Sequence, residues 1–251
     1  MMVRLRGFFV VMSLVLVLGA AVVFVPVAGA STPVAVWHMD EPAGSTMNDA
    51  VDSHDGSLQN VQTGVSGFQG TGYRFNGSSS VVVVPASGDF NPGNANFSFV
   101  VHVNFTTVPS AAVVDYDLLR GPTQGAYKME IVARNNRTKA KALCFFQGST
   151  GKASLVAGPN LADGRWHTLE CRKTSNTIYL LVDGAVFTKS ASVGSLTNTG
   201  PVSLGAKSYR GGGDWYQGLM DEVSISHQLT STGTGHAGSP IGHHSLVCRS
   251  S

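Results

Sequence analysis

Between Val34 and His227 the chain runs in short apolar or alternating stretches. Glycine, proline or an Asx turn signal closes each one, and no long stretch carries a 3.6-residue apolar period. A side-chain period of two with frequent turns buries one face of each stretch, which specifies strands rather than helices. Strands are expected at 34–38, 72–75, 80–84, 97–105, 113–120, 127–134, 140–147, 153–157, 166–173, 177–182, 185–189, 202–205 and 217–226. Asn76-Gly77 and Asp183-Gly184 read as two-residue hairpin turns, and 148–151 and 211–214 as longer loops. So many short strands must curl into two packed sheets, and the expected fold is an all-β antiparallel sandwich forming one domain over 31–228.

The two ends read differently. Arg4 and Arg6 precede an apolar run from Phe8 to Val25, Pro26 breaks it, and Ala28-Gly29-Ala30 is a small-x-small site. This is the pattern of a secretory signal peptide over 1–30, cleaved after Ala30; the alternative is an uncleaved anchor at the cell surface. The whole chain has 17 Lys+Arg and 15 Asp+Glu, and loss of Arg4 and Arg6 leaves 15 of each sign. A neutral exported chain gives no electrostatic case for nucleic acid, and no later segment is long and apolar enough to span a membrane. Residues 229–251 hold Gly, Ser, Thr and His with little apolar periodicity and read as a disordered tail. Within it His236, His243 and His244 lack a scaffold to hold a metal, and Cys248 reads as a free or intermolecular thiol. Cys144 and Cys171 each fall inside an expected strand, and export favours a disulfide between them across neighbouring antiparallel strands.

Three phrases stand out in the C-terminal half: Asp163-Gly164-Arg165-Trp166-His167, then Leu181-Val182-Asp183-Gly184, then Gly218-Leu219-Met220-Asp221-Glu222-Val223-Ser224-Ile225. A fourth opens the domain, Val36-Trp37-His38-Met39-Asp40-Glu41, followed by Asp52 in a polar turn. In this order they resemble the laminin G-like jelly roll of the concanavalin A-like lectin/glucanase superfamily, over nearly all of 34–227. The resemblance implies a jelly-roll sandwich and a structural calcium ion held between the N-terminal loop and the last strand. The matching positions are Asp52, Asp221 and Glu41, as hard oxygen ligands. Without an ion, Asp52 is a turn former and Asp221 caps a strand end.

Glucanases of this architecture place acids two and four positions apart on one strand, so that their side chains share a face. Asp221 and Glu222 are adjacent, Asp115 and Asp117 share a face with no further acid in register, and no Gly-x-Ser-x-Gly elbow is present. The chain therefore reads as a non-catalytic binding module for extracellular carbohydrate or glycoconjugate. A protein-interaction or adhesion module and a glycoside hydrolase with an atypical acid pair are the competing readings. Sugar sites combine an aromatic platform with polar groups for hydroxyls, and Tyr209, Arg210, Asp214, Trp215 and Tyr216 bring that chemistry into one loop. Against this, Trp215 or Tyr216 precedes a core strand and one of them is a packing candidate; Trp37 and Trp166 read as core. Arg134, Arg137, Lys139 and Lys141 read as a solvated hairpin tip, or as a patch for an anionic glycan. Asn-x-Ser/Thr triplets occur at Asn76, Asn96, Asn104 and Asn136.

Overall fold

The computed structural model describes residues 31–111, 115–121, 126–197, 199–207 and 213–228. The expected signal segment, the tail with its histidines and Cys248, and Tyr209 and Arg210 lie outside them. The first strands are β1 (Ser31–Trp37), β2 (Thr46–Met47), β3 (Gly56–Gln59), β4 (Gln62–Ser66), β5 (Thr71–Asn76) and β6 (Val81–Val84). A 3-10 turn (Gly88–Phe90) leads to β7 (Asn96–Asn104), β8 (Asp115–Arg120), β9 (Tyr127–Arg134), β10 (Lys139–Gly148) and β11 (Gly151–Ala157). Then follow β12 (Trp166–Lys173), β13 (Thr177–Val182), β14 (Ala185–Ser190), β15 (Val202–Leu204) and β16 (Gln217–Gln228). One sheet runs β14-β13-β12-β7-β16-β5-β4 with β1 also on β16, the other β11-β10-β9-β8-β15-β6-β3-β2, and every pairing is antiparallel. The expected two-sheet jelly-roll sandwich is the observed fold. The sequence reading lacks β2, β3 and β4, which are short and rich in Gly, Ser, Thr and Gln.

The alternation seen in sequence is the alternation of burial. In β12 and β13 every second residue is buried, and Leu169, Cys171, Ile178 and Leu180 face the other sheet. Between the sheets Phe97 and Phe99 meet Tyr127 at ring distances of 4.7 and 5.5 Å, tilted as aromatic pairs prefer. Trp37 is fully buried and donates its indole N–H to the carbonyl of His54 at 2.8 Å. Trp166 departs from its expected core place: it is half-buried, edge-on to the exposed ring of Phe68 at 6.1 Å. The disulfide joins Cys144 to Cys171, as expected, but by another geometry. Cys144 is on β10 and Cys171 on β12, so the bridge clips one sheet to the other across a Cα separation of 5.4 Å.

The phrases prove to be joints. Asp183 and Gly184 both have positive φ, the conformation of a tight hairpin turn between β13 and β14. Asp183 accepts hydrogen bonds from Thr168 N and the His167 ring (Nδ1, 2.8 Å), and the other ring nitrogen of His167 meets Asp163 at 3.0 Å. Asn76-Gly77, by contrast, is no hairpin. Asn76 Oδ1 accepts from the backbone N–H groups of Ser78, Ser79 and Ser80, and this Asx turn carries the chain from β5 in one sheet to β6 in the other. Asp221 and Glu222 lie at a bulge in β16, with Glu222 at φ 45°. The bulge is where one edge of β16 changes partner, from β5 at Gln217–Met220 to β1 from Val223 onward.

Candidate functional site

On β9, Tyr127, Met129 and Ile131 point into the sandwich, so Lys128 and Glu130 point outward. On β8, Tyr116 packs against Phe105 and Tyr216 in the core, which turns Asp115 and Asp117 outward as their spacing requires. A bulge between Asp117 and Leu119 lets two consecutive leucines bury and returns Arg120 opposite Lys128. Register then places Asp117 directly opposite Glu130. Asp115 and Asp117 thus do have a third acid beside them, supplied by the neighbouring strand rather than by the same one.

Outward residues of a sheet are normally wet, yet Asp117 is 1 % and Glu130 3 % exposed. The chain around Asp214 crosses here, and the Asp117 N–H donates to the Asp214 carbonyl at 3.1 Å. Carboxylate oxygens of Asp115, Asp117 and Asp214 lie within 4.8 Å of one another. Three cations answer them. Arg120 Nη1 is 3.4 Å from Asp117 and 3.9 Å from Glu130, Lys128 pairs with Glu130 and lies over the Phe145 ring, and Lys207 donates to Asp214 at 2.8 Å.

Burial, and then the charges of Glu130 and Asp214, push the Asp115 carboxyl up to about 6. Asp117 is raised for the same first reason, with Glu130 next. The hydrogen bond to Asp214 holds Lys207 above the usual lysine range. Among the described residues, Asp115 Oδ1, Asp117 Oδ2 and Arg120 Nε are buried without a hydrogen-bond partner. A buried polar atom without a partner costs about 1–3 kcal/mol.

The residues expected from sequence divide sharply. Asp214 belongs to the cluster, at φ 51°, and Trp215 beside it is half-buried. Tyr216 is a correction. It is fully buried, its hydroxyl donates to the Leu219 carbonyl at 2.8 Å, and its ring packs on Phe75, Phe105 and Tyr116, which leaves no face for a ligand. Arg120, Lys128, Glu130 and Lys207 are not among the residues expected from sequence; for the first three the signal is charge at outward positions of β8 and β9, and Lys207 lies in the segment after β15. The basic run lies at the β9–β10 tip, where Asn135, Asn136 and Arg137 all have positive φ and Arg137 bonds the Ser110 carbonyl.

The three residues expected around calcium do not converge on one point. Asp221 is fully buried and its carboxylate accepts from the backbone N–H groups of Phe68, Gln69 and Glu222. Glu41 accepts from Asn48 N and Nδ2 and from the Tyr73 hydroxyl. Asp52 instead lies with His54 and Asp89. Carboxylates already filled by N–H donors are poor calcium ligands, so this set does not fit the ion.

The family model of the concanavalin A-like lectin/glucanases superfamily matches residues 75–232. No curated protein sequence matches the chain. Among solved structures, the binding domain of Paraclostridial Mosquitocidal Protein 1 superposes with a TM-score of 0.60 at 12% identity, over 78% of this chain and 48% of that one. Domain 4 of AbnA, a GH43 extracellular arabinanase from Geobacillus stearothermophilus in complex with arabinotriose, gives 0.55 at 15% identity, over 79% and 93%. Trypanosoma rangeli sialidase in complex with sialic acid gives 0.59 at 13%, over 82% and 34%. The chain thus spans about half the length of the first of these and a third of the last.

Proposed function

The chain belongs to the concanavalin A-like lectin/glucanases superfamily, and we propose that it is a secreted, non-catalytic module that binds extracellular carbohydrate or glycoconjugate on the outward face of β8 and β9. The observation that carries this reading is the cluster of paired carboxylates and cations on that face, at whose edge Asp115 is part-exposed and Lys207 is exposed. A sugar hydroxyl both donates and accepts, so neighbouring hydroxyls of one ring can pair with a carboxylate and a cation together. Trp215 offers an adjacent apolar surface for a sugar face. Domain 4 of the arabinanase, which superposes over 93% of its length, was solved with arabinotriose, which supports the ligand class. Binding rather than hydrolysis is favoured because Asp117 and Glu130 are both tied to Arg120, and Glu130 also to Lys128. The raised carboxyl of Asp117 opposite Glu130 favours a second reading, hydrolysis by this cross-strand pair.

A glycan array followed by calorimetry on the retained glycan tests the first reading. Saturable binding should fall at least about tenfold in Asp117→Asn and in Arg120→Ala, the loss of one charged hydrogen bond. Binding indifferent to both changes, or capture of a protein with no glycan retained, would move the function to an adhesion surface. Polysaccharide hydrolysis abolished by Glu130→Gln would make the chain an enzyme.

A further inference from the structure

Just before β3, near β1 and the 3-10 turn, stands a histidine with an unbalanced set of neighbours. Asp49 has no exposed side-chain surface, and it accepts from the backbone N–H groups of Val36, Val51, Asp52 and His54 and from the His54 ring at Nδ1 (3.1 Å). A carboxylate that already accepts from four backbone N–H groups is an acceptor toward the ring as well, so Nδ1 donates to it. The ring is locked in place: it is 7 % exposed, packs on Phe90 at 4.7 Å, and the His54 carbonyl holds the Trp37 indole.

That leaves Nε2. It lies 3.2 Å from Ser87 Oγ and 3.1 Å from Asp89 Oδ2, which are themselves 3.0 Å apart. Among these three atoms the neutral groups supply one proton, the serine hydroxyl, which satisfies a single contact. A ring lone pair and a carboxylate oxygen are left facing each other, a pair that a positive charge placed between them would satisfy.

We infer that the charge is a divalent metal ion of the zinc class, bound by His54 Nε2, Asp89 and Asp52. Oxygens of both aspartates and a ring nitrogen of His54 lie within 4.8 Å of one another, close enough to converge on one ion. A buried carboxylate on the far nitrogen of a ligating imidazole is the arrangement that fixes tautomer and ring direction in zinc sites, and Asp49 occupies that position. Hollows of about 250 and 220 Å³ both open on Asp52, His54 and Asp89, which leaves room for water to complete the coordination. His227 lines the second hollow, with its Nε2 buried and unpartnered. Mixed imidazole and carboxylate donors suit zinc and its neighbours, whereas calcium takes oxygen alone.

Metal-stripped full chain carrying His236→Ala, His243→Ala and His244→Ala, so that the tail does not contribute, is titrated with zinc by calorimetry and with cobalt(II) by visible absorption. One equivalent of each metal should bind, and cobalt should show ligand-field bands that vanish in His54→Gln. Asp49→Asn should weaken zinc about 10–100-fold through the supporting hydrogen bond. Because Asp49→Asn also removes backbone contacts and can fail to fold, Asp89→Asn, at an exposed carboxylate, serves beside it and should weaken zinc at least about tenfold. Zinc binding unchanged in His54→Gln and Asp89→Asn overturns the site. So does a folded protein that takes up no zinc while its His54 ring proves to be an imidazolium by NMR, the outcome in which a proton alone supplies the charge.

Discussion

Replacing Asp117 by Asn should stabilise the folded protein at alkaline pH while weakening the proposed glycan binding at least about tenfold. Asp117 is 1 % exposed, Oδ2 has no partner, and Glu130 stands opposite with Asp115 and Asp214 close by. Removing the charge lifts the cost of an unsatisfied buried acceptor, about 1–3 kcal/mol. Asparagine has the same shape, and its amide can donate toward the unpartnered Asp115 Oδ1. Against this stands the lost pairing with Arg120, which keeps Glu130 at 3.9 Å. The net gain should be about 1–2 kcal/mol, or roughly 2–8 °C in melting temperature for a domain of this size.

The sign with pH follows from linkage. Burial and Glu130 raise the Asp117 carboxyl in the folded state, so the native protein binds a proton where the unfolded chain is ionised. Wild type therefore gains stability as pH falls through the raised value toward the ordinary carboxyl range, and the neutral variant does not. The advantage of Asn is complete above the raised value and disappears toward pH ~4. Urea unfolding of both proteins at pH 8.5, 6.5 and 4.5 measures it. An Asn variant less stable than wild type at pH 8.5, or a difference that is flat with pH, would show that Asp117 is satisfied in the folded protein and refute the argument.

Cys144→Ser with Cys171→Ser should cost about 3–4 kcal/mol in urea unfolding, since the bridge closes a loop of 27 residues between the sheets; unchanged stability would show that the bridge contributes nothing. Asp221→Ala leaves the Phe68 and Gln69 N–H groups without their acceptor and should destabilise by about 1.5–3 kcal/mol, equally with calcium and with chelator. A loss seen only when calcium is present would instead make Asp221 a metal ligand. Protein recovered from the medium should begin at Ser31 by N-terminal sequencing; retention of Phe8–Val25 would mean a surface-anchored protein.

The strands of this protein are legible in its sequence because alternation is local: each of the runs around Leu169, Ile178 or Phe99 shows which face it buries without reference to any partner. The same locality marks the turn at Asp183-Gly184, which follows from residue chemistry over a few positions. What tertiary structure alone decides is which outward residues meet. Glu130 stands beside Asp117, and Cys144 beneath Cys171, only because register and sheet packing bring together β8 with β9 and β10 with β12. Asn76-Gly77 has the letters of a hairpin, yet its Asx turn crosses between sheets, since β5 finds its partners in one and β6 in the other. Asp221 reads as a ligand by position, but the bulge that lets β16 change partners turns its carboxylate onto backbone N–H groups. The charged cluster on β8 and β9 is hidden from sequence for the same reason: a charged residue at an outward strand position is ordinarily solvated, and the chain crossing at Asp214 helps to bury this one.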